Sequence, residues 1–275
     1  MNIKQIEEIL KSGGIKVNEA KIEAKMLVKH FLGLSDIDLV LNEDFKGCED
    51  LLNAANLRAQ TRKPIQHIIG HAYFMGEDFI VNENVLIPRD ETEILVRKAA
   101  EIINKNNFKQ ILDIGTGTGC IACMIAKLTE AQVLGVDISS EALSIALENT
   151  SKMKLFNKAV FRKSNIFSGI QENEKFDLIV SNPPYIPISE KKNIQKEVTY
   201  EPDNALYVQD NKGIEIYRKI ISDAPKFLNK NGYLIFEIGI NQAGLIKKIM
   251  EEKEFKNIEI EKDLAYIERI IYGRI

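Results

Sequence analysis

The sequence predicts an α/β protein with a mostly parallel sheet, preceded by a small helical unit. From residue 91 onward, apolar runs typical of buried strands alternate with segments whose apolar residues recur at helical spacing. A glycine-rich turn, Gly115 to Gly119, connects the first of these strands to a helix. No helix separates the last two strands, so they should form a hairpin in which one strand runs antiparallel to the rest of the sheet.

The first part of the chain contains only predicted helices, over residues 3–10, 18–31 and 48–62. Asn18 is the expected N-cap of the second helix. We assign residues 1–70 to an N-terminal helical domain that recognises a substrate. Because it contains no glycine loop and no pair of carboxylates, we expect it to bind a partner or to orient the rest of the chain. A simple packing role is the alternative.

A β-hairpin is predicted over residues 73–81, with Gly76 in its middle. We assign residues 71–90 to this hairpin linker, which is a candidate wall of the active site. Residues 91–275 form the predicted catalytic domain. Its first helix should cover residues 91–103, and Asp90 should cap that helix.

Strands and helices alternate through the rest of this domain. The predicted strands cover residues 110–114, 132–137, 159–162, 175–181, 233–238, 258–261 and 266–272. The predicted helices cover residues 121–128, 140–153, 212–228 and 242–252. Ligands of such sheets bind beyond the carboxyl ends of the strands, so the glycine turn, Asp137 and Asn182 should meet at one edge. The long, charged connection over residues 186–210 is a candidate lid or docking surface for a protein substrate, or else a mobile solvated loop.

The glycine turn and the acidic end of the next strand predict a nucleoside-bearing cofactor. The turn consists of Gly115, Thr116, Gly117, Thr118 and Gly119. Glycines let the backbone approach a ligand, and Asp137 can bind ribose hydroxyls. The dinucleotide pattern G-x-G-x-x-G fails because its sixth position is Cys120. The observed spacing resembles the loop of class I methyltransferases that use S-adenosylmethionine; the alternative is a tight turn in an unrelated α/β protein.

A second motif, Asn182, Pro183, Pro184 and Tyr185, follows directly after the predicted strand over residues 175–181. The asparagine and proline carbonyls can accept the two hydrogens of one amino group, and a tyrosine ring can pack on its flat face. This motif therefore predicts a site for an amide or an aromatic amine. The alternative is a rigid turn with Tyr185 in the core.

The composition is that of a globular chain, with 275 residues of which 45% are hydrophobic. Residues 1–10 lack the apolar core of a signal peptide, and no stretch approaches the ~20 apolar residues that a membrane helix needs. We therefore expect a soluble, cytoplasmic protein that contacts no membrane. The net charge of −3 at pH 7, with lysines and arginines dispersed among acidic residues, argues against DNA as a direct partner.

The cysteines and histidines do not predict a metal site. Cys48, Cys120 and Cys123 are an odd number without the spacing of a disulfide framework, which fits a reducing compartment. The second and third lie on a predicted helix, where small apolar packing is expected. His67 and His71 are four residues apart, but the proline before them and the glycine between them argue against a helix that would pair them.

Nearly the whole chain resembles the HemK family of protein glutamine methyltransferases, which modify the Gly-Gly-Gln loop of peptide chain release factors. The matching residues are 64–70, Phe74, 86–89, 91–93, 113–119, 182–185, 201–202, 205–206, 268–269 and 273–274. The chain departs from the family pattern at Asp90, where a second proline is usual, and at Asn165, where an acidic residue is usual.

The resemblance implies S-adenosylmethionine as cofactor, with S-adenosylhomocysteine as product, and release factors as protein substrates. The implied cofactor-binding residues are Asp113, Gly115, Thr116, Gly117, Thr118, Gly119, Asp137, Asn165, Ile166 and Asn182. Asp137 would bind the ribose, and Asn165 would lie near the adenine amine. The implied substrate-binding residues are Asn182, Pro183, Pro184, Tyr185 and Phe74, of which Asn182, Pro183 and Tyr185 are the expected catalytic residues.

Three other functions are compatible with the same motifs. A methyltransferase acting on the exocyclic amine of adenine would meet the same planar amino group. A glutamine methyltransferase of a ribosomal protein would use the same chemistry. The third alternative is a nonenzymatic module that binds release factors or ribosomes. We expect the protein to be a monomer.

Overall fold

The computed structural model describes residues 1–41 and 44–275 and divides into two compact units. The first, here called the helical unit, comprises Met1–His71 and Gln195–Tyr200. The second, here called the sheet unit, comprises Ala72–Ile194 and Glu201–Ile275. The helical unit thus includes a short segment from the long connection over residues 186–210.

The N-terminal part of the helical unit contains five helices in its described residues. They are α1 (Ile3–Ser12), α2 (Val17–Leu32), α3 (Asp36–Leu41), α4 (Glu49–Thr61) and α5 (Ile65–Ile69). The side chain of Asn2 caps α1 by accepting a hydrogen bond from the Gln5 N–H. The apolar faces of α1, α2 and α4 share a core around Leu10, Leu27 and Leu51.

One prediction for this unit is wrong. Asn18 does not cap α2, because the helix begins at Val17 and its N-cap is Lys16. The segment around His67 is helical: α5 begins after Pro64 and ends at Gly70, whose φ of 79° closes the helix in the left-handed conformation. The helix places His67 in the buried interior, whereas His71 lies on the following strand, so the prediction that no helix pairs the two histidines is confirmed. A five-residue helix is too short to show apolar periodicity, which is why the sequence does not predict it.

A buried cation joins separate parts of the helical unit. The Arg58 side chain is 1% exposed. Its Nε donates to both carboxylate oxygens of Glu23, at 3.1 and 2.9 Å, and its Nη1 donates to Glu197 Oε1 at 3.1 Å. Burial raises the pKa of Glu23, and the hydrogen bond from Arg58 opposes this rise. The arginine therefore neutralises a carboxylate that burial disfavours.

Arg58→Met should destabilise the protein because it leaves the Glu23 carboxylate buried without its partner. We expect a loss of about 3–5 kcal/mol in the free energy of unfolding, measured by urea denaturation. Arg58→Met combined with Glu23→Met should recover much of this loss. The control Arg97→Met removes an exposed ion pair with Glu93 and should cost less than about 1 kcal/mol. A double variant as unstable as the single one would contradict this account.

The sheet unit is built on seven strands, as predicted. A separate hairpin precedes them, formed by β1 (His71–Phe74) and β2 (Glu77–Ile80). The seven strands are β3 (Gln110–Ile114), β4 (Gln132–Asp137), β5 (Ala159–Lys163), β6 (Phe176–Ser181), β9 (Leu228–Glu237), β10 (Lys256–Lys262) and β11 (Glu268–Arg274). Their order is β10-β11-β9-β6-β3-β4-β5. β11 runs antiparallel to both of its neighbours, so the prediction of one antiparallel strand is confirmed.

Helices cover both faces of this sheet. They are α6 (Asp90–Asn106), α7 (Cys120–Leu128), α8 (Ser140–Lys152), α10 (Glu215–Phe227) and α11 (Ala243–Glu252). A further short helix, α9 (Asp203–Leu206), lies in the connection over residues 186–210. Successive strand residues face opposite sides: Leu178 and Val180 pack with α6 and α7, whereas Ile179 packs with α10 and α11. Two separate cores therefore form, as is typical of a parallel sheet buried on both faces.

One detail of this unit differs from the sequence predictions. Asp90 is the first residue of α6 and not its cap, since the N-cap is Arg89 and makes no side-chain capping hydrogen bond. Asp90, Glu91 and Glu93 instead place three acidic residues in the first turn, where the helix dipole favours negative charge. The connection over residues 186–210 is largely structured, with 3₁₀ helices at Ile188–Asn193 and Lys196–Tyr200, α9, and the short strands β7 (Ile186–Pro187) and β8 (Tyr207–Val208).

In the part of the chain that the structure describes, no helix has the length and apolar character needed to span a bilayer.

Candidate functional site

A cavity of about 230 Å³ lies at the carboxyl ends of the central strands in the sheet unit. Its walls include residues 84–86, 114–115, 117, 137–139, 164–166, 181–184, 202 and 204–205, with Ala142 and Ile216. The turn after β3, the end of β4 and the motif after β6 are thus brought together, as the sequence predicts. This is the edge of a parallel sheet where ligands bind.

The glycine turn is held in a conformation that favours glycine. The N–H groups of Gly115 and Thr116 donate to the Val136 carbonyl at 2.8 and 3.0 Å. Gly117 has a φ of 53°, and its N–H donates to Asp137 Oδ2 at 2.9 Å. At Gly119, with a φ of 77°, a Cβ atom would lie 3.1 Å from the Ala146 side chain. Larger residues would therefore strain the turn or separate it from α8.

Asp137 is oriented by two backbone hydrogen bonds at the end of β4. Its Oδ2 accepts from Gly117, and its Oδ1 accepts from the Ser139 N–H at 2.9 Å. Ser139 in turn caps α8 by accepting from the Ala142 N–H at 3.0 Å. Each carboxylate oxygen retains a lone pair for a further donor, so Asp137 can bind hydroxyl groups in the cavity.

Asp113 lies beneath the turn and does not line the cavity. The side chain is fully buried, and its Oδ2 accepts a hydrogen bond from Thr116 Oγ1 at 2.6 Å. Burial raises the pKa of Asp113 to about 7 even though the Thr116 hydroxyl favours the ionised form, and the nearby Asp137 adds to the rise. This residue therefore supports the turn from below.

The segment after β5 contributes Asn165 and Ile166 to the cavity wall. Ile166 has a φ of 56°, which is strained for a β-branched residue. Ser164 maintains this conformation, because its hydroxyl donates to the Ile166 carbonyl at 2.7 Å and accepts from the Gly169 N–H at 2.8 Å. The bend brings an amide and an apolar side chain to the cavity together.

The motif after β6 is anchored at both ends. Before it, the Ser181 hydroxyl donates to the Ile114 carbonyl at 2.7 Å. After it, Gln242 Nε2 donates to the Tyr185 carbonyl at 3.0 Å and to the carbonyls of Lys212 and Gly213 at 3.1 and 3.2 Å. Gln242 Oε1 also accepts from the Gly239 N–H at 2.9 Å. The motif is therefore a fixed structure and not a free loop.

Hydrogen bonds link Asn182 to two residues that are not among the predicted site residues. Its Nδ2 donates to Thr92 Oγ1 at 3.3 Å, and that hydroxyl donates to Glu237 Oε2 at 2.6 Å. Burial raises the pKa of Glu237 to about 7, and the hydrogen bond from Thr92 opposes the rise. The signal that could have indicated Glu237 is an acidic residue at the end of an apolar strand, as for Asp137.

Eight of the predicted site residues line the cavity, namely Gly115, Gly117, Asp137, Asn165, Ile166, Asn182, Pro183 and Pro184. Asp113, Thr116, Thr118 and Gly119 form or support the turn without lining the cavity. Phe74 is 1% exposed and packs edge-on against Phe79 in the core. Tyr185 lines an adjoining groove of about 480 Å³ together with residues that include Gln242 and Arg269.

Two further residues missed from the sequence hold the turn and the motif in place. Gln242 anchors the motif, as described above. Asn149 is fully buried on α8; its Nδ2 donates to the Thr118 carbonyl at 3.0 Å, and its Oδ1 accepts from the Ile80 N–H at 2.7 Å. It therefore connects the hairpin to the glycine turn. A single amide on a helix gives no sequence signal for such a role.

The cysteines of α7 are buried thiols. Burial raises the pKa of Cys120 to about 12 and that of Cys123 to about 11. Among residues 1–41 and 44–275, no group of three or more histidine, cysteine, aspartate or glutamate side chains is arranged to hold a metal ion.

Comparison with known proteins places the chain in a family. A model described as a methyltransferase domain matches residues 90–272, and one described as the PrmC N-terminal domain matches residues 3–70. A release factor glutamine methyltransferase from Flavobacterium psychrophilum is 41% identical over 268 residues, which cover 92% of each chain. The chain belongs to the release factor glutamine methyltransferase family. A second member, from Geobacter sulfurreducens, is 36% identical over 94% of this chain and 91% of its own.

More distant methyltransferases share the fold of this family member. A methyltransferase from Pyrococcus furiosus is 17% identical, with a TM-score of 0.54 over 73% of this chain and 90% of that chain. The catalytic domain of hMettl16, solved in complex with an RNA hairpin, is 14% identical, with a TM-score of 0.59 over 87% of this chain and 82% of that chain. The predicted family and the predicted class I methyltransferase fold are therefore confirmed.

The raised pKa of Asp113 predicts a pH-dependent stability. Between about pH 4 and pH 7 the folded state keeps a proton that the unfolded state has lost, so stability falls as pH rises through this window. Asp113→Asn removes this titration. As pH rises through the window, the free energy of unfolding of the variant should increase relative to that of the wild type by up to about 1.4 kcal/mol per pH unit. Urea denaturation across the window measures the difference. A difference that does not vary with pH would contradict the raised pKa.

Proposed function

We propose that the protein transfers a methyl group from S-adenosylmethionine to the side-chain amide nitrogen of the glutamine in the Gly-Gly-Gln motif of peptide chain release factors. One observation carries this proposal. The motif after β6 lines two sites at once: Asn182, Pro183 and Pro184 line the cavity that contains the glycine turn, and Tyr185 lines the open groove. A group held by the motif is thus accessible from both a cofactor site and the protein surface.

The residues of the cavity fit S-adenosylmethionine, which when bound supplies an electrophilic methyl group on its sulfur. Asp137 has a free lone pair on each oxygen for the ribose hydroxyls. Ile138 and Ile166 provide apolar surface for the adenine ring, and the Asn165 amide oxygen can accept from the adenine amine. A Cβ atom at Gly115 or Gly117 would point into open space, so these glycines leave room for the ligand.

Catalysis follows from the weak nucleophilicity of the substrate. The lone pair of an amide nitrogen is delocalised into its carbonyl, so orientation must supply most of the rate enhancement. The Asn182 side-chain oxygen and the Pro183 carbonyl accept the two N–H groups of the substrate amide and favour positive charge on its nitrogen. Pro184 has no N–H to compete for these acceptors. The methylated nitrogen is acidic and releases its proton to solvent without a prior base.

The groove beside Tyr185 suits a protein loop as the substrate. It is open, it has a volume of about 480 Å³, and its walls combine apolar side chains such as Ile186 with the Arg269 cation. In this proposal, Tyr185 packs on the planar amide of the glutamine. The 1–70 domain recognises the rest of the release factor, and residues 186–210 form a docking surface.

We further infer that the enzyme works in the cytoplasm as a monomer and does not contact DNA. The free thiols of Cys48, Cys120 and Cys123 suit a reducing compartment. The net charge of −3 at pH 7 does not favour binding to phosphates.

The proposed reaction is tested by incubating the protein with radiolabelled S-adenosylmethionine and purified release factor. The control substrate is the release factor whose loop glutamine is changed to alanine, and ribosomes and DNA are assayed in parallel. Label only in the intact release factor would support the reaction and its target residue. Label in a ribosomal protein or in DNA would assign the enzyme to another substrate. Cofactor binding without any transfer would favour the nonenzymatic module.

Asn182→Ala should abolish methyl transfer and leave the cofactor Kd within a few-fold of the wild-type value, because Asn182 acts on the substrate nitrogen. Asp137→Ala should instead weaken cofactor binding first, because it removes the acceptors for the ribose. Isothermal titration calorimetry measures the Kd, and the label assay measures transfer. Loss of cofactor binding in Asn182→Ala would show that its role is misassigned.

A further inference from the structure

The orientation of the Asn182 amide decides whether the proposed chemistry works. In one orientation the side-chain oxygen faces the substrate and accepts its N–H; after a rotation of 180° the NH₂ group would face it and repel it. Nothing in the side chain itself selects between the two. The selection must come from the neighbours of Asn182.

Three structural elements meet at this amide. Asn182 follows β6, Thr92 lies in the first turn of α6, and Glu237 is the last residue of β9. Asn182 Nδ2 donates to Thr92 Oγ1 at 3.3 Å, and Thr92 Oγ1 donates to Glu237 Oε2 at 2.6 Å. Glu237 is 3% exposed and Thr92 is also 3% exposed, so water does not compete for these bonds.

The direction of this hydrogen-bond chain is fixed by its acidic end. A carboxylate can only accept, so the single hydroxyl proton of Thr92 is directed to Glu237. The Thr92 oxygen then presents lone pairs to Asn182, which can be satisfied by the NH₂ group but not by the amide oxygen. A rotated Asn182 would place two acceptors against each other in a buried site, at a cost comparable to a lost hydrogen bond.

We propose that Thr92 and Glu237 are positioning residues that hold the Asn182 amide oxygen toward the substrate glutamine. The proposal rests on the methyltransferase function proposed above. It assigns a role to an acidic residue that touches neither the cofactor cavity nor the groove beside Tyr185. Glu237 acts through Thr92 and Asn182 and does not itself contact the reacting atoms.

The backbone of Glu237 is held independently of its side chain. The Tyr217 hydroxyl donates to the Glu237 carbonyl at 2.8 Å, and the Tyr217 ring packs edge-on against Phe236. Replacing only the carboxylate should therefore change the hydrogen-bond chain and leave the strand end in place. Glu237→Gln is nearly isosteric, but the glutamine NH₂ group can donate a hydrogen bond to the Thr92 oxygen. The Thr92 hydroxyl proton is then free to bond the Asn182 oxygen. The direction of the hydrogen-bond chain is thereby reversed.

The same chain gives the reaction a pH dependence. Burial raises the pKa of Glu237 to about 7. The hydrogen bond from Thr92 favours the ionised form, as do the charge of Arg269 on β11 and the nearby Asn182 side chain. Glu91 on α6 opposes ionisation, and the charge of Glu237 raises the pKa of both Tyr185 and Tyr217. Protonation of Glu237 at lower pH gives the carboxyl a proton to donate, so the direction of the hydrogen-bond chain is no longer fixed. The kcat should therefore fall as pH decreases through about 7.

The test compares Glu237→Gln and Thr92→Val with the wild type, using release factor as substrate. We expect kcat to fall roughly tenfold to a hundredfold in both variants, with the cofactor Kd unchanged. Thr92→Ser keeps the hydroxyl and should recover most of the activity.

Glu237→Gln should also lose the decrease in kcat on the acidic side of pH 7. In the Asn182→Ala background, Thr92→Val should have no further effect, because the two residues act as one unit.

A matched control separates positioning from stability. Thr129→Val removes another buried threonine hydroxyl, at the C-terminal end of α7, and should lower stability without lowering kcat. Wild-type kcat in Thr92→Val and Glu237→Gln, with Asn182→Ala inactive, would overturn the positioning role and leave the proposed function intact.

A second measurement does not depend on the substrate. The NMR signals of the Asn182 side-chain NH₂ group should show slow hydrogen exchange in the wild type and faster exchange in Thr92→Val. Equal exchange in the two proteins would overturn the proposal even if no release factor were methylated. Failure of the wild type to methylate release factor, with the exchange difference present, would refute the proposed function alone.

Discussion

The site depends on the register of four adjacent parallel strands. Ile114 pairs with Val136 on one side and with Ser181 on the other, and Ser181 pairs with Phe236. The next residue of each strand therefore lies at the same level at the edge of the sheet. Across the sheet from β9 to β4, these residues are Glu237, Asn182, Gly115 and Asp137. A slip of one residue in any strand would separate the cofactor-binding groups from the groups that handle the substrate.

Two buried acids near this edge each accept a hydrogen bond from a threonine. Thr116 Oγ1 donates to Asp113 beneath the cofactor turn, and Thr92 Oγ1 donates to Glu237 behind the substrate motif, each at 2.6 Å. Burial raises the pKa of each carboxyl to about 7, so both pairs cost stability near neutral pH. This cost is typical of functional sites, where rigid acceptors are placed in a dry environment to orient a neighbouring group.

Contacts between distant segments complete the cavity. Glu201 is buried; it accepts from the Ile87 N–H at 3.0 Å and pairs with Arg89. It thereby joins the segment after residues 84–86 to the segment before residues 202–205, and both of these ranges contribute to the cavity wall. Gln242 similarly joins the Tyr185 carbonyl to the segment before α10. Single polar side chains thus fix the parts of the wall that lie outside the sheet.

The sequence by itself determined the strand and helix alternation, the antiparallel strand, the glycine turn, Asp137 and the motif at Asn182, because each is a local pattern with a direct physical cause. Only the tertiary structure decided that the Thr92 hydroxyl donates a hydrogen bond to Glu237, 145 residues away in the sequence. The same is true of the pair formed by Arg58 and Glu197, which are 139 residues apart. The tertiary structure also decided that β11 lies between β9 and β10. Periodicity predicts which face of an element is buried, but the partner of a buried polar group depends on which elements pack against it.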